Sequence, residues 1–374
     1  MSEEPSAAAT YSLRDLVAYF LKLGTLGFGG PVALIGFMQR DLVEERKWIA
    51  EQDFKDGLAL AQLAPGPLAA QTAMYLGYVH YGVLGASLVS VAFILPSFLM
   101  VIALGWAYQR YGGLSWMQAA FYTIGACVIG IIAKSAYKLA RKSLGRDRLL
   151  WPIFLAAAAV TVRTESEYVL LFLASGFLVW FVRRPAGQKP PALLGVDPGL
   201  LTTIFLFFGK AGAFVFGSGL AIVPFLYGGV VKEYQWLNDR QFLDAVAVAM
   251  LTPGPVVITV GFIGYLVAGL PGSCAAALGT FLPCYLFTVI PAPYFKRYGK
   301  RPGIAAFVDG VTAAALGTIA GAVIVLGRRS IVDWPTAALA LATIGLILKK
   351  VPEYWIVLGA GILGIALRGW LVHP

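Results

Sequence analysis

Apolar stretches long enough to cross a bilayer recur along this chain from Leu13 towards its end, and they constrain its fold more than any single motif does. A hydrocarbon core roughly 30 Å thick takes about 20 apolar residues in a helix. Of the 374 residues, 59% are hydrophobic and 13% charged, against about 25% charged in a soluble domain. Nothing is left from which to build a water-facing core, so a separate soluble domain is excluded. The first ten residues hold Glu3 and Glu4 but neither Lys nor Arg, unlike the basic start of a cleaved signal peptide. The first apolar segment is therefore expected to stay in the mature protein.

The net charge of +10 sits in short loops between apolar segments. That is the distribution of positive-inside topology signals, not of a nucleic-acid surface. Cys127, Cys274 and Cys284 are odd in number and form no C-x-x-C pair, and the histidines are His80 and His373. Packed thiols are expected, with no metal site and no cofactor.

Sliding the chain against itself exposes a repeat. An offset of 188 pairs Lys210 with Lys22, Phe216-Gly217 with Phe28-Gly29, Trp236 with Trp48, Asp244 with Asp56 and Pro253-Gly254-Pro255 with Pro65-Gly66-Pro67. After one dropped residue, an offset of 187 pairs Gly272 with Gly85, Pro283 with Pro96 and Tyr298-Gly299 with Tyr111-Gly112. The fold class follows: an all-α polytopic membrane protein of two homologous modules, about five to six membrane helices each. The modules are residues 1–182 and 199–374, joined by a polar, Pro/Gly-rich linker, 183–198, expected in the cytoplasm.

Each half reads as four long apolar elements and two short ones, beginning with Leu13–Met38 and Asp53–His80 in the first and with Gly199–Tyr227 and Gln241–Ala268 in the second. The richest basic loop shifts from the one around Arg141, Arg146 and Arg148 to Lys296, Arg297, Lys300 and Arg301, one element earlier in its half. Inverted-topology repeats produce such a shift. The count of crossings then requires one element between these loops to stop short, Leu149–Val162 or the interrupted Gln241–Ala268.

Two motifs break the apolar segments. QLAPGP (Gln62–Pro67) and MLTPGP (Met250–Pro255) each place two prolines in three residues, freeing the carbonyls of Ala61 and Leu63 and of Ala249 and Leu251. Such breaks persist in a membrane only where protein or a watery cavity covers them. The helix that restarts after each break presents N–H groups and a positive dipole end that favour an anion. A packing kink would leave the same sequence trace. FGGP (Phe28, Gly29, Gly30, Pro31) and FGSG (Phe216, Gly217, Ser218, Gly219) permit unwinding or close backbone approach, although small residues also serve ordinary helix contacts.

Lys22 and Lys210 each precede the FG pair by six residues. At 1.5 Å per residue, Lys22 lies roughly 13 Å past Leu13, near the midplane. An intramembrane ammonium reads as a pathway residue, the bland alternative being one that snorkels to the interface. Asp56 and Asp244 form a second symmetric pair, suited to proton relay or to plain dipole electrostatics in a first helical turn. Asp309 is a third proton-coupling candidate. Gln62, Gln71, Thr72, Thr252 and Thr259 flank the breaks and could bond oxyanion oxygens.

The runs LKLGTLGFGGP (Leu21–Pro31) and FKDGLALAQLAPGP (Phe54–Pro67), the acidic-basic stretch ending in Trp48, and their second-half counterparts resemble the chromate ion transporter family in its long, two-module form. The resemblance covers nearly the whole chain. It implies a secondary transporter of the inner (cytoplasmic) membrane, not an enzyme. Such a protein would move chromate outward on the proton motive force and confer chromate resistance, with sulfate as a structural analogue. The second half departs from the first at Gly219 for Pro31, Met250 for Gln62 and Thr252 for Ala64, which implies unequal work by the two modules.

The expected mechanism is alternating access, with the four breaks meeting at a midplane site where Lys22 and Lys210 neutralise a dianion. The expected partners are the oxyanion and the bilayer, with no nucleic acid and with room for a homodimer. Sulfate or another oxyanion is the alternative cargo. A cation carrier using the carbonyls of Ala61 and Ala249 is a second reading. A membrane enzyme acting on lipid phosphates, the third, lacks a nucleophile–base pair and an H-E-x-x-H motif.

Overall fold

The computed structural model describes residues 11–28, 30–111, 114–164, 169–183, 199–214, 222–298, 302–349 and 351–367, and every regular element among them is helical. The first module holds α1 (Leu13–Leu26), α2 (Gly30–Met38), α3 (Glu51–Leu63), α4 (Leu68–Tyr111), α5 (Ser115–Leu144), α6 (Leu150–Thr164) and α7 (Val169–Val182). The second holds α8 (Leu200–Phe214), α9 (Ile222–Leu226), α10 (Asp239–Leu251), α11 (Thr259–Val289), α12 (Ala292–Tyr298), α13 (Pro302–Ser330), α14 (Trp334–Leu348) and α15 (Glu353–Ala366). Among the described residues, four stretches, Leu68–Tyr111, Ser115–Lys134, Val256–Val289 and Asp309–Arg328, are long and apolar enough to cross a membrane. Reciprocal capping boxes start three helices: Ser12 with Asp15, Asn238 with Gln241, and Asp333 with Thr336.

The repeat is visible in the backbone. π-helical turns occupy Gln39–Glu45 and Tyr227–Glu233, and positive φ recurs at Lys47 and Gln235, all at the offset of 188. Gly82 (φ 58°) and Gly269 (φ 61°), at the offset of 187, break α4 and α11 into two arms each. Left-handed backbone of this kind is open to Gly at little cost, so the chain can reverse there. The arms lie so close that a Cβ added at Gly85 would sit 2.1 Å from the Gly77 carbonyl, and one at Gly272 2.2 Å from that of Gly264.

The first two apolar elements of each half double back instead of running through. Tyr19 donates to Asp41 at 3.1 Å and Tyr11 stacks on Trp48 at 4.9 Å, pairs that straddle Phe28–Pro31 evenly. Phe207 likewise meets Phe225, Tyr234 and Trp236 across the second half's counterpart. A Cβ at Gly57 would strike the Tyr75 ring at 2.4 Å, so α3 and the first arm of α4 also form a hairpin, with Ala64–Pro67 at its tip. The two prolines leave several residues without helical bonds, and extended backbone at Ala64 and Thr252 turns the break into a reversal. Of the two elements expected to stop short, the interrupted Gln241–Ala268 is the one broken at its PGP motif.

The second arm of α4 reads out the relation between the modules. Just before it, at the turn between the arms, Tyr81 bonds the Tyr11 carbonyl, at the base of the first module's hairpins; midway along the second arm, Phe93 and Ser97 touch Gly24 near the first tip. In the second module it meets the PGP tip at Ser97, then Gly261 through Val101, Tyr265 through Gly105, and Asp244 through Tyr108. The hairpins of the two modules thus enter from opposite ends of one helix, the arrangement of inverted repeats. The modules also exchange elements. α13 packs on α6 and α7, and α5 on α14 and α15.

Candidate functional site

Of the four breaks expected to meet, two are seen to do so between the modules: the second PGP break and the first FGG segment. The Gly254 amide donates to the Gly27 carbonyl at 3.0 Å, joining the second PGP break to the first FGG segment. Ser97 Oγ donates to the Pro253 carbonyl at 2.7 Å and lies 3.3 Å from the Gly24 carbonyl. Gly254 has φ 87°, and a Cβ there would sit 2.2 Å from Ser97 Oγ, so the junction is closed to any larger residue. Sequence reasoning singled out Gly254 but missed Ser97. The signal available was its place beside Pro96, opposite Cys284 in the repeat, which bonds the Gly212 carbonyl at 3.5 Å as Ser97 approaches that of Gly24.

The restarted helices begin where the prolines predict. α4 starts at Leu68, directly after Pro67, and its first bonded amide is that of Gln71, which donates to the Pro67 carbonyl at 3.0 Å. In the second module a single 3-10 turn, Val256–Ile258, precedes α11. Two breaks thus present N-terminal amides at the tips. One of the predicted free carbonyls, that of Ala249, is capped. Thr252 Oγ1 donates to the Ala249 carbonyl at 3.1 Å, whereas Ala64, its counterpart, has no hydroxyl to cover that of Ala61. Gln71 Nε2 donates to the Pro65 carbonyl at 2.7 Å, and its buried Oε1 has no hydrogen-bond partner among the described residues.

The remaining candidates are spread more widely. Gly66, Pro67, Thr252, Pro253, Gly254 and Pro255 are buried, Pro65 and Phe28 half-buried, and Gln62 exposed. Gly30 begins α2. Gly29, Phe216, Gly217, Ser218 and Gly219 lie outside the described residues. Thr72 and Thr259 bond carbonyls of their own helical turns. Lys22 and Lys210 are both exposed: Lys22 shares its face of α1 with exposed Leu21 and Leu26, and Lys210 its face of α8 with exposed Leu206.

The carboxylates separate cleanly. Asp309 is ion-paired with Arg183 at 2.7 Å, and the same guanidinium also holds Asp147. Asp56 is half-buried and accepts from Gln52 at 2.8 Å. Asp244 is buried and accepts from Tyr108 of the other module at 2.6 Å.

A family profile described as "Chromate transporter" matches residues 14–180 and again 202–365. The chain is 68% identical to the "Chromate transport protein" of Cupriavidus metallidurans, over 98% of its own length and 96% of the relative's. It is 61% identical to the "Probable chromate transport protein" of Synechococcus elongatus, over 95% of both chains. Identity to the "Chromate transport protein" of Pseudomonas aeruginosa is 30%, over 97% of this chain and 93% of that one. No solved structure matches the chain.

Proposed function

This chain belongs to the chromate transporter family, and from that premise we propose that it exports a tetrahedral oxyanion, chromate foremost, across the cytoplasmic membrane by alternating access between its two modules. The observation that carries the reading is the bond from the Gly254 amide to the Gly27 carbonyl. It ties together hairpin tips that enter from opposite ends, where a small rearrangement exchanges access from one side to the other. Breaking one tip contact opens a path from one end while the rest of the bundle closes the other.

Amides at the starts of α4 and α11 supply partial positive charge at the tips, and whether the exposed Lys22 and Lys210 add full charge is tested by their Met variants. Lys22 is six residues before Phe28, about 9 Å along the axis. The positive-inside rule assigns to the cytoplasm the end that carries Arg14, Arg46, Lys47, Arg146 and Arg148. Chromate then leaves that compartment, with the proton gradient as the driving force.

Sulfate has the same charge and nearly the same shape, so it is the natural competing cargo. Thr252 Oγ1 already uses one lone pair of the Ala249 carbonyl, which weakens it as a cation ligand. Growth in graded chromate with and without expression, followed by radiochromate uptake into inverted vesicles, tests the reading. Raised tolerance and saturable uptake support it, and no difference in either assay rejects it.

A further inference from the structure

Proton-driven export needs a group that takes up and releases the proton, and the packing singles out one. Asp244 is 4% exposed and sits in α10 at the contact between modules. Tyr108, from the second arm of α4, donates its hydroxyl to Asp244 Oδ2 at 2.6 Å. The phenol is held in place by Phe121 of α5 and Phe262 of α11, ring centroids 5.6 and 5.7 Å away. Arg240, exposed one turn earlier on α10, acts on the carboxylate through space. α5, α11 and α15 also pack on α10, and among the described residues they bring no other charged group to bear on Asp244.

The repeat supplies an internal comparison. Asp244 corresponds to Asp56 at the offset of 188, and Tyr108 to Phe295 at the offset of 187. α12, which carries Phe295, packs on α3, which carries Asp56. The two helix contacts correspond, and of the two equivalent aromatic positions only Tyr108 carries a hydroxyl. Ser97 and Tyr108 share one helical arm, eleven residues apart, roughly 16 Å along its axis. Along α10, Asp244 and the Pro253 tip are separated by nine residues, about 13 Å. One helix of the first module thus grips the second module's hairpin at its tip and near its base.

We propose that Asp244 and Tyr108 form the proton-binding latch of the transporter. With Asp244 ionised, the charge-assisted bond from Tyr108 holds the hairpin of the second module against α4. A proton taken from water on one side forms an O–H bond on the Asp244 carboxyl, removes its charge and weakens the bond. The hairpin then parts from α4, drawing Pro253–Pro255 away from Gly27. Release of the proton on the other side restores the latch. With Phe295 at the position equivalent to Tyr108, the corresponding interface has no equivalent phenol among the described residues, so the latch is one-sided.

The inference rests on the transport reading, and two assays on the purified full chain in liposomes keep the two apart. The first is exchange of labelled chromate with no gradient; the second is accumulation driven by an imposed pH gradient. Asp244→Asn, confirmed as folded by its thermal melt, is expected to exchange chromate while gradient-driven accumulation falls at least tenfold. Tyr108→Phe, which installs the side chain found at Phe295, removes a bond that favours the ionised carboxylate. Its pH profile for accumulation is expected to move upward by about one unit.

An Asp244→Asn protein that accumulates chromate like wild type overturns the latch. So does a folded one that has lost exchange as well, because the carboxyl then serves translocation itself. Should Asp244→Asn fail to fold, an unchanged pH profile in Tyr108→Phe overturns the proposal alone. Absence of exchange in the wild-type protein instead rejects the transport reading.

Discussion

At the scale of single residues, glycine meets two different demands at positive φ. Gly82 and Gly254 both have positive φ, but a Cβ on Gly82 meets nothing within 4 Å while one on Gly254 meets Ser97 Oγ at 2.2 Å. Gly82→Ala is therefore expected to cost about 1–3 kcal/mol, the backbone term alone. Gly254→Ala should cost more and should also abolish transport, because Ser97 and the Gly27 bond have to shift. Thermal melts in detergent, run beside chromate flux, separate the two effects. Replacing Lys22 or Lys210 by Met keeps bulk and deletes charge. If these ammonium groups attract the dianion, flux falls by an order of magnitude or more with expression intact. Well-expressed Met variants with normal flux would show that both lysines only serve the membrane surface. The PGP glycines were legible because a motif repeated at one offset marks them. Ser97 was not, since a serine in an apolar helix is ordinary and its role depends on a partner 156 residues away.

At the scale of elements, the sequence carries the breaks but not the direction in which the chain leaves them. A kinked crossing helix and a hairpin have the same composition, and only the pairing of Tyr11 with Trp48 or of Gly57 with Tyr75 distinguishes them. The inversion was legible because loop charge responds to topology and is local in sequence. Caps at the breaks are a further consequence of the reversal. Thr252→Val keeps the shape but exposes the buried Ala249 carbonyl, and a loss of roughly 1–3 kcal/mol is expected. Ala64→Thr at the equivalent position should be neutral or stabilising by supplying a hydroxyl to Ala61. Denaturation of the two variants side by side checks the pair, and equal effects would argue against a capping role.

At the scale of the whole molecule, the exchange of helices makes each module incomplete alone. α5 finds its partners in α14 and α15, and α13 in α6 and α7. Expressed separately, residues 1–182 and 199–374 are expected to be degraded or to aggregate; expressed together, they should co-purify and restore chromate tolerance. A half that is stable and monomeric by itself would contradict the exchanged packing. No periodicity within a module could reveal this, because both halves carry equivalent faces and the sequence does not say which copy fills which.

The central claim, that this two-module chain is itself the path for a tetrahedral dianion, is tested most directly by labelled chromate flux into liposomes containing only the purified protein, with sulfate, molybdate or nitrate in excess. The account predicts saturable flux that sulfate and molybdate reduce and planar, monovalent nitrate leaves unchanged. Flux no greater than in protein-free liposomes, or equal inhibition by nitrate, would contradict it.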